Sequence, residues 1–235
     1  ESRSPGEVLQ LNLGINTANR VGDISEVVIG SDPLDDDGQS HLQVFSSGNV
    51  TRLEANRLLD SRIGGELYDG AVMKPYAAWG LPGKIDTLIV TGSITGTVWA
   101  QPYLPGSPAE QPGTIDRIEA NAIFAKTEGP FPVGIYAGQR IGSIIAGSIV
   151  DTVIAARHRA SPFNGRNQYI TQVGRVEVGS TIGGPGTFHG ELLATRFGDG
   201  VTQNPGFFCT GNFDGFIAVG EEFVTNGNPL LTPEM

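Results

Sequence analysis

Two stretches of the chain decide the fold, because they are near copies of one another. Residues 85–93 read IDTLIVTGS, and residues 141–148 read IGSIIAGS. Each leads into a second similar phrase, SITGTVWA at 93–100 and SIVDTVIA at 148–155. All four phrases are rich in Ile and Val and are bounded by Gly, Ser, Asn and Asp, which is typical of β-strands separated by turns. The copies therefore predict a repeat built from strands.

A looser form of the first phrase recurs along the chain and predicts about seven irregular coils. Its starts are separated by 26 to 40 residues and lie at Ile24, Val50, Ile85, Ile115, Ile141, Val173 and Phe213. Since side chains alternate along a strand, Leu88 and Val90 are expected to face the interior and Thr87 and Ile89 the opposite side. Ile85 has the wrong parity for this alternation, so we expect a bend near residue 86.

Two segments, 50–63 and 115–125, also carry apolar residues at helical spacing, and Thr51 and Glu54 fit a capping box. Their counterpart in the repeat, residues 173–179, reads VGRVEVG. That sequence is β-branched and rich in glycine, which is poor material for a helix. We therefore predict strands in all three segments.

The outward positions of these strands show a further regularity. Arg-x-Glu occurs at 52–54, 117–119 and 175–177, whereas the intervening coils carry Val28, Ile89, Ile145 and Ile217 at the place of the Glu. Stacking the coils as parallel strands would alternate charged and apolar side chains along one outer column. Such a column fits a solvated sheet face, and it also fits a docking face for a partner.

These phrases resemble those of right-handed parallel β-helix proteins, and more narrowly the Gly-Ser-Ile-rich repeats of large bacterial cell-surface proteins. The resemblance covers roughly residues 24–220 and implies an all-β solenoid at the cell surface or otherwise outside the cell. Pectate-lyase-like enzymes share this architecture, but the resemblance carries no catalytic signature. Long insertions in solenoids often carry function, and here they lie at 33–48, 67–83, 101–113, 157–169 and 196–212. A β-sandwich of Greek-key type is the alternative fold.

We expect one β-helix domain over residues 1–235. An N-terminal cap strand would occupy 1–23, the repeat coils 24–204, and an aromatic cap and tail 205–235. A solenoid must cover its open ends, and Phe207 and Phe208 belong to the aromatic-rich C-terminal region. These two side chains are predicted to serve in the cap or to contact a neighbouring subunit.

Composition narrows the classes of partner. The formal net charge of the 235 residues is −10, which argues against nucleic acid and anionic membranes. No run of about 18 apolar residues is present, so we expect no membrane-spanning helix. The single cysteine, Cys209, excludes an internal disulfide and a cysteine-based zinc site. The start at Glu1, without Met or an apolar leader, suggests a processed or excised chain.

One acidic cluster is a candidate calcium site. Asp32, Asp35, Asp36 and Asp37 precede Gly38, and oxygen-rich loops of this kind suit Ca²⁺. The EF-hand spacing is absent, and a solvated turn is the alternative interpretation. No other cofactor is predicted.

Basic and aromatic side chains mark candidate partner contacts. Arg157, Arg159 and Arg166 form the one basic cluster of an acidic chain and could bind carboxylates. Tyr76 and Trp79 lie beside the third coil, where they could stack on sugars or on a protein partner, or simply pack locally.

No nucleotide, hydrolase or metalloprotease motif is present, and the three histidines stand apart, so no catalytic residue is predicted. We expect a non-enzymatic structural or assembly component that contacts a protein partner or its own copies. The alternative is a carbohydrate-active enzyme or polysaccharide-binding module using Glu54, Glu119 and Glu177. Stacking would place these carboxylates about 9.6 Å apart on alternate rungs, at the wide end of the range for inverting glycosidases.

Overall fold

A computed structural model describes the chain at residues 8–13, 24–28, 41–46, 49–63, 66–69, 72–75, 84–100, 113–124, 134–156, 171–179, 185–194, 196–198 and 206–219. Within these residues all regular secondary structure is β. The strands are β1 (Val8–Leu13), β2 (Ile24–Val28), β3 (His41–Ser46), β4 (Val50–Ala55), β5 (Arg57–Ile63), β6 (Glu66–Asp69), β7 (Val72–Pro75), β8 (Lys84–Ala100), β9 (Thr114–Phe124), β10 (Gly134–Ala137), β11 (Arg140–Ala156), β12 (Gln172–Val178), β13 (Thr187–Ala194), β14 (Arg196–Phe197), β15 (Phe207–Cys209) and β16 (Asn212–Val219).

Fourteen of these strands form one sheet, in which every neighbouring pair is parallel. The remaining two, β6 and β7, form an antiparallel hairpin. The expectation of an all-β chain with parallel strand pairing is therefore confirmed. A Greek-key sandwich is not what the described strands form, because its neighbouring strands would be antiparallel.

The parallel sheet consists of two runs of strands. The first run contains β2, β4, the beginnings of β8, β9 and β11, then β12, and finally β14 with β15. The second run contains β1, β3, β5, the second part of β8, the end of β9 with β10, the second part of β11, then β13 and β16. Both β8 and β11 pass through the two runs, so the runs alternate along the chain.

The two segments with ambiguous spacing are strands, as predicted. Residues 50–55 and 57–63 form β4 and β5, and residues 115–124 belong to β9. β9 pairs with β8 on one side and with β11 on the other. Ile115 thus lies between Ile85 and Ile141, which are the equivalent starts of the two near-copied phrases. The local helical spacing is overridden because these apolar side chains fill the core between strands.

Both runs contribute to a single hydrophobic core. The predicted interior positions of the first run are all at most 2% exposed: Leu88, Val90, Ile118, Ala120, Ile144, Ala146, Val176 and Val178. By contrast, Arg117 is exposed, and Thr87, Ile89 and Glu119 are half-buried. The alternation predicted from the repeat is therefore confirmed along the first run.

The break in alternation that led us to expect a bend near residue 86 is present, within a continuous strand. Ile85 and Leu88 are three residues apart and are both fully buried, so strict alternation breaks between them. The equivalent place in later strands is occupied by Gly142 and Gly174. A Cβ on Gly174 would lie 2.5 Å from the backbone oxygen of Gly142. Glycine is required there because the strands approach too closely for a side chain.

The alignment of the last coil was wrong. Phe213, taken as the seventh start, pairs with Phe188 in the second run. The last position of the first run is instead shared by β14, which pairs with the beginning of β12, and β15, which pairs with its end. The repeat is hard to recognise here because residues 199–205 interrupt the strand phrase in the sequence. The outer column of the first run consequently ends at Phe208, which lies opposite Glu177, and does not include Ile217.

Candidate functional site

The C-terminal end of the sheet is the most distinctive surface of the described residues. Seven large apolar side chains are exposed among all the described residues, and five of them belong to β15 and β16. This C-terminal apolar surface comprises Phe208, Phe213, Phe216, Ile217 and Val219. Exposed apolar side chains that are concentrated on the last two described strands of a sheet are typical of an interaction site.

The strands that carry this surface are edge strands. β16 pairs only with β13 among the described strands, and β15 only with β12. The free side of β16 therefore presents backbone N–H and C=O groups over eight residues. Such an edge is a template for pairing with another strand, particularly when its side chains are apolar.

An aromatic cluster anchors this end to the core. The ring of Phe188, which is fully buried, stacks on Phe213 at a centroid distance of 5.5 Å and an interplanar angle of 5°. Phe207 meets the edges of both rings, with its centroid 5.1 Å from Phe188 and 5.5 Å from Phe213. Edge-to-face and offset contacts at these distances are favourable for aromatic rings. Phe207 thus packs inward, whereas Phe208, its neighbour, is exposed.

The turn between β15 and β16 is fixed by hydrogen bonds. Thr210 accepts a hydrogen bond from the backbone N–H of Gly186 at 3.0 Å through its Oγ1, and its own N–H donates to the carbonyl of Val178 at 3.0 Å. Gly179, at the equivalent corner, has a φ of +91°, a conformation that favours glycine. These contacts hold the edge strand β16 in register against β13.

The predicted outer column of the first run exists. In register, Val28, Glu54, Ile89, Glu119, Ile145 and Glu177 follow one another, and Phe208 comes last. Charged and apolar side chains therefore alternate as expected over the first six positions. The column separates the three Glu side chains from one another by an apolar residue, which avoids direct contact of like charges.

Each Glu of this column is paired with the Arg two residues earlier. Arg52 contacts Glu54 at 2.6 Å and Glu26 at 3.4 Å, both measured between nitrogen and carboxylate oxygen. Arg117 donates to Glu119 from Nε at 3.0 Å. The third pair joins Arg175 to Glu177, whose side chain is only 5% exposed. The carboxylates are thus engaged in the sheet's own ion pairs, and no two of them are adjacent.

A second charged group lies at the start of β8. The Nζ of Lys84 lies 2.5 Å from Asp86 and 3.6 Å from Asp116 of the neighbouring strand. The hydrogen bond with Asp86 raises the pKa of Lys84 above its ordinary value, with further contributions from the charges of both carboxylates. The ammonium group therefore stays charged and links two strands of the first run.

A contact between His189 and Asp151 was not predicted from the sequence. The Nδ1 of His189 lies 2.6 Å from Asp151, and its Nε2 lies 4.0 Å from Asp214. Asp151 has a φ of +49° and sits where the register between β11 and β13 shifts. That irregularity brings Asp151 beside His189, and only a signal for the bulge could have revealed the contact. Among the described residues no group of three His, Cys, Asp or Glu side chains is placed to hold a metal ion.

Tyr136 and Glu191 are half-buried, and each is followed or preceded in its strand by a buried apolar residue, Ile135 before Tyr136 and Leu192 after Glu191. Burial raises the pKa of Glu191. It also raises the pKa of Tyr136, which the negative charge of Glu191 raises further. Both groups are therefore biased towards their neutral forms.

Several predicted contacts lie outside the described residues. This applies to Asp32, Asp35, Asp36, Asp37, Tyr76, Trp79, Arg157, Arg159 and Arg166. The calcium site and the basic and aromatic contacts therefore stay predictions. Of the predicted partner contacts, the structure describes Phe207 and Phe208. No helix capable of spanning a membrane occurs in the described part of the chain.

Comparisons with known proteins found no family model, no curated protein and no solved structure that matches the chain. The class of this protein is therefore inferred from the structure of its described residues. It is an all-β protein built on a parallel sheet, with two runs of strands around one core.

Proposed function

We propose that this chain is a right-handed parallel β-helix that acts as a non-enzymatic structural or assembly component. In this proposal the stacked strands form a stiff scaffold, and neighbouring subunits bind its long insertions and its C-terminal apolar surface. The two parallel runs that contribute to one core support the β-helix, because the chain passes repeatedly from one run to the other. The resemblance of the repeat phrases supports the right-handed form.

The observation that carries the functional proposal is the C-terminal apolar surface on an edge strand. Phe213 is 47% exposed, Ile217 37% and Val219 55%, although all three belong to the strand that ends the second run. Exposed apolar side chains on an unpaired edge favour association, because pairing buries the side chains and satisfies the backbone together. A scaffold subunit needs a surface that binds its neighbours, and this edge strand with its exposed apolar side chains can supply one. Catalysis does not need such a surface.

A carbohydrate-active role has less support. Its only candidate carboxylates, Glu54, Glu119 and Glu177, are each occupied by an arginine. They also lie on alternate strands with an apolar residue between them. A pair of carboxylates converging on one sugar is what glycoside hydrolysis needs.

We further propose that the scaffold works outside the cytoplasm, at a cell surface or in the extracellular space. The resemblance to surface-protein repeats supports this, and an acidic chain of net charge −10 is compatible with it. Protease added to intact cells that express the chain from its natural gene should digest it. Complete protection until the cells are lysed would contradict this location.

The function is tested by a polysaccharide screen beside a native-mass measurement. We expect no turnover and a mass above that of one 24.7 kDa chain. Ile217→Ser should weaken the association, whereas Phe124→Ser, which removes an exposed apolar residue from β9, should not. Turnover of a glycan that disappears in Glu119→Gln would overturn the structural role.

A further inference from the structure

Two columns of positions run in register through the whole second run. The first column contains Leu9, Leu42, Leu58, Ile94, Ile123, Ile149, Phe188 and Phe213. The second contains Leu13, Ser46, Ile63, Val98, Ile135, Ile154, Leu192 and Ile217. Apart from Ser46 every member is apolar, and the members from Leu58 to Phe188 and from Ile63 to Leu192 belong to the hydrophobic core.

Both columns stop abruptly at the C-terminal end. Phe188 and Leu192 are completely buried, yet their partners on the next strand, Phe213 and Ile217, are 47% and 37% exposed. Among the described strands the core is therefore open at β16, and one more strand would complete its burial. That strand must carry apolar side chains four residues apart to meet Phe213 and Ile217.

The strand at the other end of the run meets this requirement. β1 pairs only with β3 among the described strands, and its Leu9 and Leu13 are in register with the two columns. Their separation of four residues equals that of Phe213 and Ile217. Strands in the middle of the run do not all share it, since Leu58 and Ile63 are five residues apart. β1 and β16 therefore match without a bulge.

We propose that the free edge of β16 pairs in parallel with β1 of a second copy of this chain. Phe213 then lies opposite Leu9 of the next copy, and Ile217 opposite Leu13. This inference rests on the proposed assembly role and names the partner as another copy. The proposed contact continues the second run from one copy into the next, because β1 is the first strand of that run and β16 is its last.

Pairing of this kind is heterologous, since it joins two different surfaces. Each assembly keeps a free β16 at one end and a free β1 at the other. Further copies can therefore add along one axis, and open filaments form. An isologous contact between two β16 edges would instead give closed dimers. The native mass of the unmodified chain should therefore keep rising with concentration beyond twice 24.7 kDa.

Disulfide trapping tests the register. In a Cys209→Ala background, Leu13→Cys with Ile217→Cys places two thiols on adjacent parallel strands, about 4.8 Å apart, within disulfide reach. Mild oxidation should produce a ladder of covalent oligomers. The matched control, Leu9→Cys with Ile217→Cys, displaces the thiols by four residues, or about 13 Å along the strand, and should yield about tenfold less. Each single-cysteine variant can form dimers at most.

A register-specific ladder supports the stacking. Equal yields from the two cysteine pairs, or covalent dimers alone, would overturn it. A chain that stays monomeric at every concentration would also overturn it. The structural role would still stand if the partner were a different protein. Glycan turnover lost in Glu119→Gln would count against the proposed function itself, so the two failures are distinguishable. Folding of each variant is verified by comparing its thermal unfolding under reducing conditions with that of the parent.

Discussion

At the scale of single residues, the electrostatics of the second run centre on Glu191. Its pKa is raised because the carboxylate loses hydration when it is partly buried. Its charge also disfavours ionisation of Tyr136 nearby. Each Glu of the outer column of the first run has an arginine within contact distance.

Glu191→Gln should stabilise the folded chain at neutral pH. An acid whose folded-state pKa is raised adds stability below its unfolded pKa, and this contribution is lost as the pH rises through the folded value. The glutamine variant avoids that loss, so its gain in Tm over the parent should be present at about pH 7 and absent at about pH 4. Thermal unfolding at the two pH values measures it. Glu119→Gln, which breaks an ion pair, should give no gain at neutral pH, and a gain equal to that of Glu191→Gln would contradict the explanation.

The contact between Asp151 and His189 shows what a repeat pattern cannot reveal at this scale. The phrases at 148–155 and 187–194 align well, but the alignment pairs Val150 with His189 and skips Asp151. Asp151 has a φ of +49°, and although Asp tolerates positive φ better than most residues, an Asp in a strand phrase does not by itself predict that conformation. Such a contact arises from the bulge, which only the three-dimensional register discloses.

At the scale of elements, neighbouring residues of one strand differ sharply in their contribution to the stability of the fold. Ile144 of β11 is fully buried between Ile118 and Val176, its partners on the two adjacent strands. Ile145 faces the other side of the sheet, between Glu119 and Glu177. The same substitution therefore has different consequences at the two positions.

Ile144→Ala should lower the free energy of unfolding by about 2–5 kcal/mol, because it removes buried methyl groups and leaves a cavity. Ile145→Ala should cost about 1 kcal/mol or less, since that side chain is only half-buried. Urea unfolding of the two variants measures the difference, and Ile145 serves as the matched control. Equal losses would mean that the assignment of the two faces of β11 is wrong.

How much of the fold the sequence predicts depends on how regular each strand phrase is. The first-run positions up to residue 178 follow from apolar alternation, because a one-residue slip would exchange buried and charged faces. The last position could not be aligned, since β14 and β15 are separated in sequence and neither is longer than three residues. Aromatic composition draws attention to Phe207 and Phe208, and their contact with a partner stays a prediction. The edge of β16 depends on strand pairing, which composition does not encode.

At the scale of the whole molecule, the predicted calcium loop at Asp32, Asp35, Asp36 and Asp37 is tested through stability. A ligand that binds only the folded chain raises its stability, by about 2.7 kcal/mol at a free concentration of 100 times Kd. EDTA should then lower the Tm, Ca²⁺ should restore it, and Asp36→Asn combined with Asp37→Asn should abolish the response. A Tm that millimolar Ca²⁺ leaves unchanged would support the solvated turn instead.

The placement of β1 and β16 at opposite ends of the second run has a mechanical consequence. A force pulling on these two strands acts first on the outermost strands, which can peel away while the inner pairs remain intact. Each repeat released adds about 30 residues of slack, as between Ile85 and Ile115, or about 100 Å of contour length. When the chain is stretched in a single-molecule instrument, it should therefore lengthen in a series of steps of about this size.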